Sequence, residues 1–149
     1  MLAVFGIAAQ TVVLPVKLIV TYVYSCAGPS DTAKVVSGVQ NGVNVVIWFA
    51  VDLSADSTGA PAIGHDQAQT KIQNFTCVAE TVAQLETLSL PTVNMVSIGG
   101  WNAPHPDTRW TGRQWFEVFH RWNADLQRTI GYSTAASTLF DGIGAPARC

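Results

Sequence analysis

The side chains of this chain best suited to chemistry are aromatic. Tyr22 and Tyr24 close one short apolar run. Trp48 and Phe49 lie in a second, which Asp52 follows. Ser97, Gly99, Gly100, Trp101 and Asn102 close a third, and Asp141 stands in a fourth. Aromatic faces stack on the apolar faces of sugar rings, and the polar edges of Tyr and Trp reach hydroxyl groups. A set of this kind suits an uncharged, hydroxylated ligand. The three histidines do not support a metal: none of His65, His105 and His120 has a partner at ligand spacing. His105, between Pro104 and Pro106, reads as a solvent-facing loop residue, and His120 as the polar side of a helix. Gly38, Gly42 and Gly59 make no phosphate-binding fingerprint, so neither metal nor cofactor is expected.

These residues need elements to hold them. The runs Lys17–Tyr24, Val43–Val51, Val93–Ile98 and Thr138–Ile143 are rich in β-branched or aromatic residues and bounded by Gly, Pro, Asn or Asp, which is the pattern of strands. Val43–Val51 is apolar nearly throughout, as in a strand buried on both faces of a parallel sheet. Between the strands, Ile72, Phe75, Ala79, Val82 and Leu85 recur at helical steps, up to a stop near Leu90-Pro91. Trp115, Phe119, Trp122 and Leu126 mark a second helix, opened by a capping box from Thr111 to Gln114. Trp115 and Trp122 therefore belong to packing. A weaker helix is expected over Thr32–Val39, starting at Ser30 or Asp31. The alternation β-α-β-α-β-α-β implies parallel strands joined by right-handed crossovers. Strand starts lie about 40 residues apart, and eight such units would need roughly 320 residues, the size of a (β/α)8 barrel. The expected fold is α/β: a partial TIM barrel comprising the first four parallel strands and three helices. In a barrel the working residues sit where the strands end.

Composition narrows the function. Of 149 residues, 48% are hydrophobic and 12% are charged, with eight Lys and Arg against ten Asp and Glu. This excludes a disordered chain and lacks the basic face of a nucleic-acid binder. Residues 1–16 are apolar and uncharged but have no positive flank. They read as a signal-like leader, or as a poorly packed leader or barrel floor, and as a poor membrane span. Cys26, Cys77 and Cys149 give an odd count and no zinc spacing, so they read as buried or stray thiols, with a single Cys26–Cys77 bridge in a secreted chain as the alternative. The sequon Asn74-Phe75-Thr76 falls inside a helical pattern, which argues against glycosylation. Asp66 is expected to cap.

A family resemblance follows from the third and fourth strands. Ser97-Ile98-Gly99-Gly100-Trp101 resembles the SxGG motif of glycoside hydrolase family 18, the chitinases and chitinase-like proteins. Phe140-Asp141-Gly142-Ile143 resembles the opening of that family's DGxDxDxE signature, about forty residues on. Phe49-Ala50, Trp101-Asn102 and Trp110 extend the likeness, which covers roughly residues 17–143. It divides the chain into a leader (1–16), the N-terminal half of a chitinase-like barrel (17–143) and an unrelated tail (144–149). It implies a sugar-binding role for Tyr24, Phe49, Ser97, Gly99, Gly100 and Trp101, and a remnant catalytic position at Asp141. The implied partner is a polysaccharide containing N-acetylglucosamine, with no nucleic acid or membrane.

The signature then fails. Its second Asp falls on Gly144, its third on Pro146 and its Glu on Arg148. Cleavage of a glycoside needs a carboxylic acid at the leaving oxygen, and in this family the substrate's own acetamide is the nucleophile. The third Asp of the family orients that acetamide and the Glu is acid and then base. Arg148 cannot donate a proton near neutral pH, and Pro146 offers no acceptor. General acid catalysis alone is commonly worth about 10²–10⁴-fold. A chitinase-like domain without hydrolysis is therefore expected, with a sugar-binding fragment as the alternative. The last six residues also fit a translated intron entered at the second Asp codon, a gene-model artefact without function. Open sheet edges would favour self-association.

Overall fold

A computed structural model describes residues 14–65, 74–99, 109–131 and 139–144. In chain order the elements are β1 (Val20–Val23), α1 (Pro29–Gln40), β2 (Val45–Ala55), β3 (Pro61–His65), α2 (Phe75–Thr87), β4 (Val93–Ile98), α3 (Gly112–Ile130) and β5 (Gly142–Gly144). The chain is mixed α/β. Strands β1, β2, β4 and β5 lie side by side in that order and every neighbouring pair is parallel.

β2 is the centre of the sheet. Its first half is apolar at every position, and Val45, Val46, Ile47 and Trp48 are all under 8% exposed. Burial of both faces is the condition for a central parallel strand. Because successive side chains point to opposite faces, Val46 and Trp48 share one face with Val51 and Val96. That face joins Val35, Val36 and Val39 of α1, Val78, Val82 and Leu85 of α2, and Phe119 of α3 in a single apolar cluster. All three helices thus pack on one side. Val45 and Ile47 line the other.

The strand boundaries differ from the sequence reading in two places. β2 does not stop at Val51. A bulge sets Trp48 opposite Val96 and Val51 opposite Ile98, and the strand then runs on to Ala55 as one arm of a hairpin with β3. The turn is built by Asp56, whose Oδ1 accepts from the Thr58 N–H, the Thr58 hydroxyl and the Ala60 N–H. Gly59 supplies a φ of +82° there. These bonds hold the Asp56 carboxyl below its ordinary range, led by the Thr58 hydroxyl. At the other end of the chain, β5 begins at Gly142 and includes Gly144, which the sequence reading assigned to the tail.

The helices explain themselves locally. α1 starts earlier than expected because Pro29 occupies its first turn, where a missing N–H costs nothing. α2 begins at Phe75, capped by Asn74: the Asn74 Oδ1 accepts from the N–H groups of Thr76 and Cys77. Asp66 and Ile72 lie outside the described residues. The capping box of α3 forms as expected, with Thr111 Oγ1 accepting from Gln114 N–H at 3.3 Å and Gln114 Oε1 from Thr111 N–H at 2.7 Å. Gly131 closes α3 with a φ of +68°. Trp115 is buried on this helix and His120 is exposed.

The thiol reading is corrected. Cys26 and Cys77 form a disulfide across 51 residues, both almost fully buried, which ties the loop before α1 to the first turn of α2. The structure takes the alternative that the sequence offered, which the odd count made by Cys149, itself outside the described residues, had placed second.

Candidate functional site

The site expected from the sequence lies at the finishing end of the parallel strands. Tyr24 follows β1 and is 68% exposed. Its ring sits 5.1 Å from that of Phe49, tilted by 50°. The β2 bulge carries Phe49, so its position comes from a local irregularity within the strand. Trp48 does not join them: it is fully buried and its Nε1–H donates to Asn94 Oδ1 at 3.2 Å. It is a core residue.

Ser97 lies one residue before the end of β4, and Gly99 follows that end. Gly99 adopts a φ of +67°, and its N–H donates to the Val51 carbonyl at 2.8 Å. A glycine suits this place because other residues are strained at that angle. Ser97 is fully buried, and among the described residues its hydroxyl has no hydrogen-bond partner. Asp52 is also buried, at 6% exposure. By alternation from Val51, Asp52 falls on the sheet face away from the helices, the face that also carries Ile47 and, across the ladder, Ser97. This face therefore carries a carboxylate and a hydroxyl toward its finishing end. Gly100, Trp101, Asn102, His105 and Arg148 lie outside the described residues.

Asp141 is not part of this group. The sequence reading set it among the strand ends, whereas it precedes β5 at the starting end of the sheet. There its Oδ2 accepts from the Asn94 N–H at 2.8 Å while its own N–H donates to the Asn94 carbonyl at 2.7 Å. Burial raises its carboxyl above the ordinary value. The Asn94 bond opposes this and the charge of Glu86 adds to it. Asn123 of α3 secures the preceding residue: its Nδ2–H donates to the Phe140 carbonyl at 2.9 Å and its Oδ1 accepts from the Phe140 N–H at 3.3 Å. The Phe140 ring stacks on Trp122, 5.8 Å apart and 5° from parallel. Asn94 and Asn123 were not singled out in the sequence, since a lone Asn carries no spacing signal for a tertiary bond.

Two cavities border these elements. One of about 260 Å³ lies between β1 and α1, lined by Tyr22, Tyr24, Asp31 and Lys34. Asp31 holds Lys34 at 3.1 Å and accepts from the Ala27 N–H. The other, about 580 Å³, lies between β3 and α3 against Ile63, Val118 and Trp122, and none of the expected site residues lines it. Among the described residues no group of His, Cys, Asp and Glu could hold a metal ion, and no helix is long and apolar enough to cross a membrane.

Comparison with known proteins adds no relative: no family model, no curated protein and no solved structure matches the chain.

Proposed function

We propose that these residues form the first half of a chitinase-like (β/α)8 barrel that binds oligomers of β-1,4-linked N-acetylglucosamine without cleaving them. Support for the barrel comes from the winding. A doubly wound sheet reverses its strand order and carries helices on both faces. Here the parallel strands follow chain order, and the three helices pack on one face. Support for the family is the motif pair: Ser97 and Gly99 flank the last residue of β4, and the Phe140–Ile143 stretch leads into the neighbouring β5.

The observation that carries the non-catalytic reading is the pairing of Ser97 with Gly144. Gly144 holds the position of the signature's second Asp, and a Cβ there would lie 3.3 Å from two carbons of Ile47. The position lacks a side chain, and one placed there would press on Ile47, which would have to yield by a few tenths of an ångström. What remains at the finishing end is Tyr24 backed by Phe49, an exposed aromatic surface for a sugar ring. The adjoining cavity is slightly smaller than the roughly 300–1,000 Å³ of drug-sized ligand pockets, which suits one ring at a time.

The test is titration of the chain with N-acetylglucosamine oligomers by calorimetry, with product analysis on the same samples. Saturable binding without cleavage is expected. Tyr24→Ala should weaken binding by about 2- to 12-fold, the worth of one aromatic stacking contact. Cleavage would overturn the non-catalytic reading, and absence of binding would overturn the sugar reading.

A further inference from the structure

We propose that Asn74 carries an N-linked glycan, added in the same oxidising compartment that forms the Cys26–Cys77 disulfide. The sequence alone argued the other way, because Asn74-Phe75-Thr76 read as the interior of a helix. The structure removes that objection. Asn74 precedes α2 with an extended backbone, φ −81° and ψ 96°, and both Asn74 and Thr76 are exposed. Phe75 alone of the three turns inward, at 7% exposure.

The capping chemistry is compatible with the modification. The Oδ1 of Asn74 accepts from Thr76 N–H and Cys77 N–H, so the oxygen of the amide does the capping. Glycosylation takes place on the nitrogen. In the transfer, Nδ2 forms a bond to C1 of a sugar carried on a lipid pyrophosphate, the C1–O bond breaks, the pyrophosphate leaves with the electron pair, and one amide proton is lost to base. The amide oxygen keeps both lone pairs, and the cap of α2 survives.

The compartment is argued independently. Disulfides persist in secreted proteins and in the endoplasmic reticulum lumen, and are rare where thiols are kept reduced. Cys77 lies three residues from Asn74, so the oxidised residue and the sequon share one turn of chain. In a eukaryotic cell, a chain that acquires this bridge passes through the compartment where the sequon is read.

The experiment is translation of the full chain with endoplasmic-reticulum microsomes, followed by gel shift and peptide mass analysis. A species heavier by one glycan is expected, collapsed by peptide-N-glycosidase with Asp left at position 74. Thr76→Ala should abolish the shift and Thr76→Ser retain it. Asn74→Asp removes the glycan but keeps a capping oxygen, so this variant should stay unshifted and still form the Cys26–Cys77 bridge. An unshifted wild-type chain overturns the proposal, whether it stays outside the vesicles or enters them with Asn74 bare.

Discussion

Asn94 and Asp141 clasp each other at the starting end of two neighbouring parallel strands. The Asn94 N–H donates to the Asp141 carboxylate and the Asp141 N–H donates back to the Asn94 carbonyl. The Asn94 side chain meanwhile accepts from the indole of Trp48. One residue thus ties β5 and the buried heart of β2 to β4. Asp141, read from the sequence as a remnant of a catalytic signature, has in this fold a position in the sheet's foundation.

That position makes stability depend on pH in an unusual direction for a carboxylate. Burial raises the Asp141 carboxyl above 3.8, so the folded chain holds the proton at pH values where the unfolded chain has released it. The stabilisation is complete below the ordinary value and is lost as pH rises through the raised one. Asp141→Asn keeps an acceptor for Asn94 and bears no charge. Denaturant unfolding between about pH 4 and pH 7 should show this variant losing less stability than wild type as pH rises. A wild-type chain that gains more stability than the variant over that range would refute the assignment.

Asn123→Ala should be among the costliest single changes at a polar residue. It leaves the Phe140 N–H and carbonyl without their Asn123 partners in a buried setting, and each such loss costs about 1–3 kcal/mol. The expected loss is about 2–6 kcal/mol by denaturant unfolding.

Ser89 should be improvable. It ends α2 with a φ of +53° while its N–H donates to Glu86 and the Leu90 N–H donates to Leu85, the double bond of a Schellman ending. Residues with a Cβ are disfavoured in that conformation by about 1–2 kcal/mol. Ser89→Gly should raise stability by about 1 kcal/mol in thermal or denaturant unfolding. No gain would mean that the helix ends differently in solution.

Much of this fold was legible because its signals are local. The unbroken apolar run around Trp48 announced a central strand, and Thr111 with Gln114 announced the start of α3. The hairpin of β2 and β3 was not legible: its second strand is five residues long, and the Asp56–Gly59 turn sits inside a stretch of small residues with little alternation. The end of α2 was read close to its place from Leu90-Pro91, but Ser89, standing where Gly is usual, gave no sign of the left-handed ending. For the site, Tyr24 and Phe49 come together as an aromatic pair: the end of β1 beside Tyr24 can be read from pattern, whereas Phe49 is placed by a bulge inside β2 that no pattern announces. Asp141 does not join them, because a motif gives spacing along the chain and not the end of the sheet at which it lands.

Reduction of the Cys26–Cys77 bridge should cost stability through the unfolded state. Closing a loop of 51 residues is worth about 4 kcal/mol in chain entropy. Cys26→Ser with Cys77→Ser should lower the unfolding midpoint accordingly, and reductant should do the same to wild type and nothing to the double variant. A reductant effect on the double variant would trace it to other chemistry.

The β1 edge should govern association. Leu18, Ile19 and Val20 are 50%, 39% and 44% exposed, and among the described strands β1 pairs only with β2. Exposed apolar edges template pairing with other chains, and a charge on the edge blocks it. Val20→Lys should raise the monomer fraction in sedimentation analysis, and a wild-type chain already monomeric at the same concentration would refute this.

The bridge also determines what a protease would leave behind. Between Cys26 and Cys77 lie α1, β2, β3 and the exposed turn from Asp56 to Gly59. A cut in that turn separates nothing. Each product retains one cysteine of the pair, and the nicked molecule migrates as a single species until it is reduced. Damage at the hairpin tip therefore adds a single water and leaves size almost unchanged under oxidising conditions, and the molecule can carry a severed backbone while remaining one covalent body.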